Sequence, residues 1–196
     1  MSRKNESHGR IVRAAIALFS RQSYHGTSMR EIARLADVNE LTVFRHFISK
    51  EAVFHAALEE SFTSIKPRLS ALESPTNDLS SEKMLRQVVS IFVDISQFSP
   101  EVVRLTAIAI LGGNGKAHEL CRKHLAPVFL KINEYVDAQC RAGRLKTANP
   151  SIATAAIVLS ILAQPELSRF VNGSFKNDIR ESIQENTKFW VDALGA

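Results

Sequence analysis

Residues 28–47 read SMREIARLADVNELTVFRHF, and the rest of the chain is organised around them. Met29, Ile32, Ala33 and Ala36 recur at helical spacing and make one apolar stripe. Ser28 and Glu31 stand at capping-box spacing, so hydroxyl and carboxylate can each satisfy an amide left orphaned at a helix start. Asp37-Val38-Asn39 then reads as a tight turn. Asp37 tolerates left-handed backbone, Val38 is the expected buried plug, and Asn39 caps the next helix. In that helix Leu41, Phe44 and Phe47 are expected inside, with Glu40, Thr42, Arg45 and His46 outside. Two short helices, a tight turn and a donor-rich second helix make a helix-turn-helix.

Charge supports this reading. The chain of 196 residues carries a formal +5. Residues 1–50 hold nine Lys and Arg against four acids, so the whole excess lies beside the helix-turn-helix and the remainder is neutral. A basic head on a neutral body suits phosphate binding. At 45% hydrophobic residues the chain can also bury a substantial core.

Helical patterns continue on both sides. Ile11, Ala14, Ala15, Leu18 and Phe19 form the inner face of a helix over about 7–21. Ser49 caps a fourth helix with Val53, Phe54, Ala57, Leu58, Phe62 and Ile65 inward, which Pro67 ends or kinks. Glu73-Ser74-Pro75-Thr76-Asn77-Asp78 reads as a loop. A helix with Leu85, Val88, Val89, Phe92 and Ile95 follows, and Ser99-Pro100-Glu101 opens another. That one, Val102–Leu111, is apolar nearly all round and expected to be buried. Gly112-Gly113-Asn114-Gly115 stops it. A long helix over about 116–142 ends at Gly143, and Asn149-Pro150 opens the next. The fold expected is all-α, about nine helices, with a helix-turn-helix domain over residues 1–50 and a helical body over 51–196.

The stretch IATAAIVLSILAQ from Ile152 is apolar on every side, and the last helix is amphipathic. Such a pair can bury against the chain's own core or against a second copy. Two helices from each subunit would make a four-helix dimer interface, for which Ile152, Ala156, Leu159, Ile183 and Trp190 are the expected contacts. The alternative is a helix wholly inside the chain's own core.

Several function classes find no support. Residues 1–10 have no secretory pattern, although Arg3 and Lys4 could form an arm on DNA. The apolar run 152–163 is too short and too polar to span a bilayer, so no membrane partner is expected. Two cysteines, Cys121 and Cys140, lie too far apart on one helix to pair, which fits a reduced, cytoplasmic setting. His118, Cys121 and His124 stand three apart, but 118 and 124 diverge around the helix and no fourth ligand is near, so no metal is expected. No nucleophile elbow, phosphate loop or dinucleotide motif occurs, so neither an enzyme nor a cofactor is expected.

From Ile11 to Val53 the chain resembles the DNA-binding domain of TetR-family regulators. The similarity lies in IVRAAIALF, Tyr24, Gly26-Thr27-Ser28, EIARLADV and VFRHFISKEAV. Ser23 and Asp37 stand where the family often has Gly, Asn39 replaces a common Ser, and Phe44 a common Tyr whose hydroxyl reaches phosphate. The resemblance implies a C-terminal ligand-binding and dimerisation domain, with the fourth helix as the lever joining it to the DNA-binding head. It places Thr27, Ser28, Arg30, Asn39, Thr42, Phe44, Arg45, His46 and Lys50 on DNA. Among these, Arg30, Thr42 and Arg45 would read bases, and Ser28, Phe44, His46 and Lys50 would hold phosphates. It also implies a ligand cavity in segments that carry Phe92, Phe98, Val103, Ile108 and Phe129. The function expected is a dimeric repressor, released from a palindromic double-stranded operator by a small, largely apolar, unidentified ligand. The other reading is a constitutive, architectural or division-linked DNA-binding protein whose body binds protein partners.

Overall fold

The computed structural model describes residues 3–72, 80–112, 115–171 and 178–195. Among them are nine α-helices and no strand. The helices are α1 (Arg3–Gly26), α2 (Met29–Leu35), α3 (Glu40–His46), α4 (Lys50–Ser70), α5 (Ser81–Phe98), α6 (Pro100–Leu111), α7 (Gly115–Arg141), α8 (Pro150–Phe170) and α9 (Ile179–Leu194). The expected loop at Glu73–Asp78, the pair Gly113-Asn114 and the side chains of Arg3 and Lys4 lie outside the described residues. The chain forms two compact units. One comprises Met1–Ser64 and Glu101–His124, the other Ile65–Pro100 and Leu125–Ala196.

In the first unit, Ile11, Ala15 and Phe19 of α1, Ile32 of α2, Val43 of α3, and Val53, Ala57 and Leu58 of α4 are all fully buried. Helices α2 and α3 have seven residues each, too short to persist alone, so caps and these contacts hold them. The inner stripe of α3 differs from the sequence expectation. Val43 is 0% exposed, whereas Leu41 and Phe44 are 58% and 47% exposed. The i, i+4 pair Val43–Phe47 displaces the i, i+3 series through Leu41 and Phe44, because a two-turn helix has room for only one buried edge. Val38 is half-buried rather than a plug.

Helix α1 is longer than expected and passes through Ser23 at φ 66°, ψ 175°, a region otherwise reserved for glycine. This is the position at which the family often carries Gly. Helix α6 buries only Val102, Leu105 and Ala109, and its end is open, with Leu111 85% exposed. The expectation of burial on all sides fails because mean apolarity without a strong face cannot say which positions meet a partner.

In the second unit α5 packs against both α8 and α9. That is why Met84, Leu85, Val88, Val89, Phe92, Val93 and Ile95 are all buried. Helix α8 begins as its sequence predicts, with Asn149 accepting from Ser151 and Ile152 at 3.0 and 3.1 Å and Pro150 in the first turn. Its buried face is Ala153, Thr154, Ile157, Val158 and Ile161. At 21 residues it outruns the twelve-residue apolar stretch, and by length and composition alone it is apolar enough to cross a membrane. Gln164 and Asn186 exchange amide hydrogen bonds of 2.8 and 3.2 Å that tie α8 to α9. The amide of Lys146 donates to the Leu194 carbonyl at 2.7 Å and holds the end of α9.

Candidate nucleic-acid interface

The helix-turn-helix is built from local bonds the sequence encodes. The Ser28 hydroxyl accepts from the Glu31 amide at 3.2 Å, and the Glu31 carboxylate accepts from the Ser28 amide at 2.9 Å. This reciprocal box starts α2, and the Ser28 hydroxyl, bonded to Glu31, holds that carboxyl below its ordinary pKa. Asp37 takes φ 52° and makes the turn, with the Val38 amide closing on the Ala33 carbonyl at 3.0 Å. Asn39 Oδ1 accepts from the Leu41 amide at 2.9 Å and starts α3. Arg10 lies 3.5 Å from the exposed Asp37 carboxylate.

The nine residues expected on DNA divide into two groups. Ser28, Arg30, Asn39, Phe44 and Arg45 are exposed, and Thr42 is half-buried. Arg30 and Asn39 border one concavity together with Arg34 and Glu40, so the structure brings the start of α2 and the start of α3 to one surface. The other three make bonds within the head. Thr27 is 2% exposed and its hydroxyl donates to the Ser23 carbonyl at 2.9 Å. Lys50 Nζ donates to the Thr27 carbonyl at 3.0 Å and sits 4.5 Å from the centroid of the Tyr24 ring. His46 Nε2 meets Ser7 Oγ at 2.9 Å. Lys50 thereby ties the start of α4 to the segment between α1 and α2, and His46 ties the end of α3 to α1. Leu41, which the sequence pattern assigned inside, joins the outer face of α3 instead. Competition with Val43 for the inner edge was the signal that could have found it.

The five residues expected around a ligand fall in both units. Val103 and Ile108 belong to the first, and Phe92, Phe98 and Phe129 to the second. Phe92 is buried in the α5 core, and Phe98 is 60% exposed. Ile108 lines a cavity of about 430 Å³ within the first unit. Of the expected dimer contacts, Ile152 and Leu159 are exposed, while Ala156, Ile183 and Trp190 are half-buried. Leu167 and Phe170 of α8 and Phe189 of α9 are further exposed apolar residues that sequence reasoning passed over.

The His118, Cys121 and His124 series is taken up differently. His124 Nε2 and Lys123 Nζ each lie 3.0 Å from the Glu59 carboxylate, and the His124 ring stacks on Phe62. Cys121 is buried, which pushes its thiol up to about 11, and His118 is exposed. Among the described residues no three His, Cys, Asp or Glu are grouped to hold a metal.

Residues 11–57 match the family model for bacterial regulatory proteins of the tetR family. Over that stretch the chain carries the DNA-binding domain of the TetR family. Among its relatives is the HTH-type transcriptional regulator RutR of Escherichia coli, 28% identical over 140 residues. That match takes in 71% of this chain and 65% of RutR, just under two thirds of the relative's length. The nucleoid occlusion factor SlmA of Shewanella halifaxensis is 25% identical, over 81% of this chain and 80% of SlmA. A solved tetR-family regulatory protein from Rhodococcus superposes with a TM-score of 0.81 at 19% identity, over 99% of this chain and 98% of that one. At that identity the likeness is one of fold, and it extends the TetR architecture over the C-terminal helices.

Proposed function

We propose that this TetR-family chain is a cytoplasmic, non-enzymatic transcriptional repressor that binds a palindromic operator as a homodimer and is released by a small, largely apolar ligand. The observation that carries the reading is the outer face of α3. Arg45, Thr42, Phe44 and Leu41 project from a short helix whose start and turn are fixed by side-chain bonds, within the stretch that holds the chain's whole excess charge. A helix so presented enters a major groove. Arg45 and Arg30 would pair with guanine, and Leu41 and Thr42 would meet thymine methyl groups. Ser28, Asn39, Phe44, His46 and Lys50 would take the phosphates, with Thr27 beneath them positioning Lys50.

Residues 1–50 form the DNA-binding head in this scheme, and residues 51–196 the ligand-binding and dimerisation body. The exposed stripe Ile152, Leu159, Leu167 and Phe170 on α8, with Phe189 on α9, supports pairing with a second copy through Ile152, Ala156, Leu159, Ile183 and Trp190. Ligand contacts are proposed separately in each unit, at Val103 and Ile108 in the first and at Phe92, Phe98 and Phe129 in the second.

Similarity to SlmA over four fifths of both chains favours one other reading, a constitutive DNA-binding protein with a division-linked role and a protein-binding body. Loss of operator affinity on adding a small ligand separates the two.

Binding-site selection on wild type and Arg45→Ala tests the base-reading role. Loss of about 1–3 kcal/mol of discrimination at one base pair per half-site is expected. A uniform loss of affinity with unchanged preferences would move Arg45 to the backbone.

A further inference from the structure

The cavity of about 430 Å³ in the first unit lies where the end of α1 faces α4 and the end of α6. Tyr24 and Phe54 form one wall with their rings edge to face, centroids 5.3 Å apart. Ala107, Ile108 and Leu111 of α6 form the other. Ser23 and His25 supply polar groups at the rim, and among the described residues that line it there is no lysine, arginine or carboxylate. An aromatic wall facing an aliphatic one, with few polar groups and no formal charge, suits a compact, neutral aromatic compound. The volume is in the range of small-molecule sites.

A second observation marks the same place. Ser23, at the rim, holds backbone angles of φ 66°, ψ 175° that glycine adopts freely and serine does not. Such strained positions cluster at ligand clamps and switches. Residues of this rim are also joined to the helix-turn-helix by a short circuit of bonds. The Ser23 carbonyl accepts from the Thr27 hydroxyl at 2.9 Å. The Thr27 carbonyl accepts from Lys50 Nζ at 3.0 Å, and that ammonium rests 4.5 Å from the Tyr24 ring centroid. Thr27 immediately precedes Ser28, the cap of α2, and Lys50 is the first residue of α4.

We propose that this cavity binds a compact neutral aromatic ligand and that the Tyr24–Lys50–Thr27 circuit reports its occupancy to the helix-turn-helix. The proposal deepens the repressor reading and rests on it for the DNA arm only. A ligand that displaces the Tyr24 ring removes the face on which Lys50 rests and loosens the start of α2. Occupancy and DNA binding then oppose each other, by the same factor in both directions.

N-phenylnaphthylamine, neutral and fluorescent in apolar surroundings, is the probe. Wild type should bind it, and Ala107→Trp, which fills the cavity from the α6 side, should weaken it by about tenfold or more. Leu111→Asp, at the exposed rim, should weaken it in the same direction and guards against misfolding of the first variant. With a duplex recovered by binding-site selection, DNA-loaded wild type should bind the probe about tenfold more weakly than free protein. Absence of probe binding to wild type, or equal binding by folded Ala107→Trp and Leu111→Asp, overturns the site. Equal binding to free and DNA-loaded protein overturns its link to the helix-turn-helix. Failure to recover any preferred duplex counts against the repressor reading, while the two variants still decide the cavity.

Discussion

The pairs α2–α3 and α8–α9 solve opposite problems. Seven-residue helices bury little, so α2 and α3 depend on Ser28, Glu31, Asp37 and Asn39 to satisfy their ends. Such devices are local in sequence and need no partner to be recognised. The 21-residue α8 has apolar surface to spare, burying one face and leaving Ile152, Leu159, Leu167 and Phe170 exposed. Short helices therefore announce themselves by their caps. A long apolar helix announces only that it will be buried, not on which side.

The largest expected effect tests the apolar side of this contrast. Leu159 is 60% exposed in the single chain, so Leu159→Glu should cost nothing there, but in the proposed dimer it buries unpaired carboxylates at about 3–5 kcal/mol. Sedimentation should show folded monomers, and an unchanged dimer would remove α8 from the interface.

Next comes the register of α3. Val43→Ala should destabilise the protein by about 1.5–3 kcal/mol, since the side chain is fully buried, whereas Leu41→Ala should stay within about 0.5 kcal/mol. Urea unfolding of both variants measures the difference, and equal costs would restore Leu41 to the core.

Backbone strain gives a smaller effect of opposite sign. Ser23→Gly should relieve about 1 kcal/mol after allowing for the added freedom of glycine in the unfolded chain, raising the thermal midpoint by about 2–4 °C. Asp37→Gly should gain less, because aspartate tolerates the left-handed region and here also faces Arg10. A thermal melt showing no gain from Ser23→Gly would mean the kink is not strained.

The smallest effect belongs to Glu59. Its carboxyl is held below the ordinary value by Lys123 foremost, with His124 adding to it. A lowered carboxyl pKa gives stability that is present above the ordinary value of 4.5 and is lost as pH falls through the lowered one. Because the side chain is 40% exposed, solvent screens the interaction to about 0.2–1 kcal/mol. Glu59→Gln should lose that much near neutrality and nothing in strong acid, by urea unfolding at the two pH values.

By itself the sequence determined the all-helical class, the two caps and turn of the helix-turn-helix, and the Asn149-Pro150 start of α8. Each depends on a side chain reaching a backbone group a few residues away, so neighbours in sequence carry the whole interaction. It also placed the basic head, because charge counts do not depend on folding. Tertiary structure alone decided that Val43 and not Leu41 faces inward, that Lys50 rests on Tyr24, that His124 pairs with Glu59, and that α6 leaves Leu111 beside a cavity. Those contacts join residues far apart in the chain. Apolar periodicity says that a side chain will be buried, and only packing says against what, because the hydrophobic effect has magnitude but no direction.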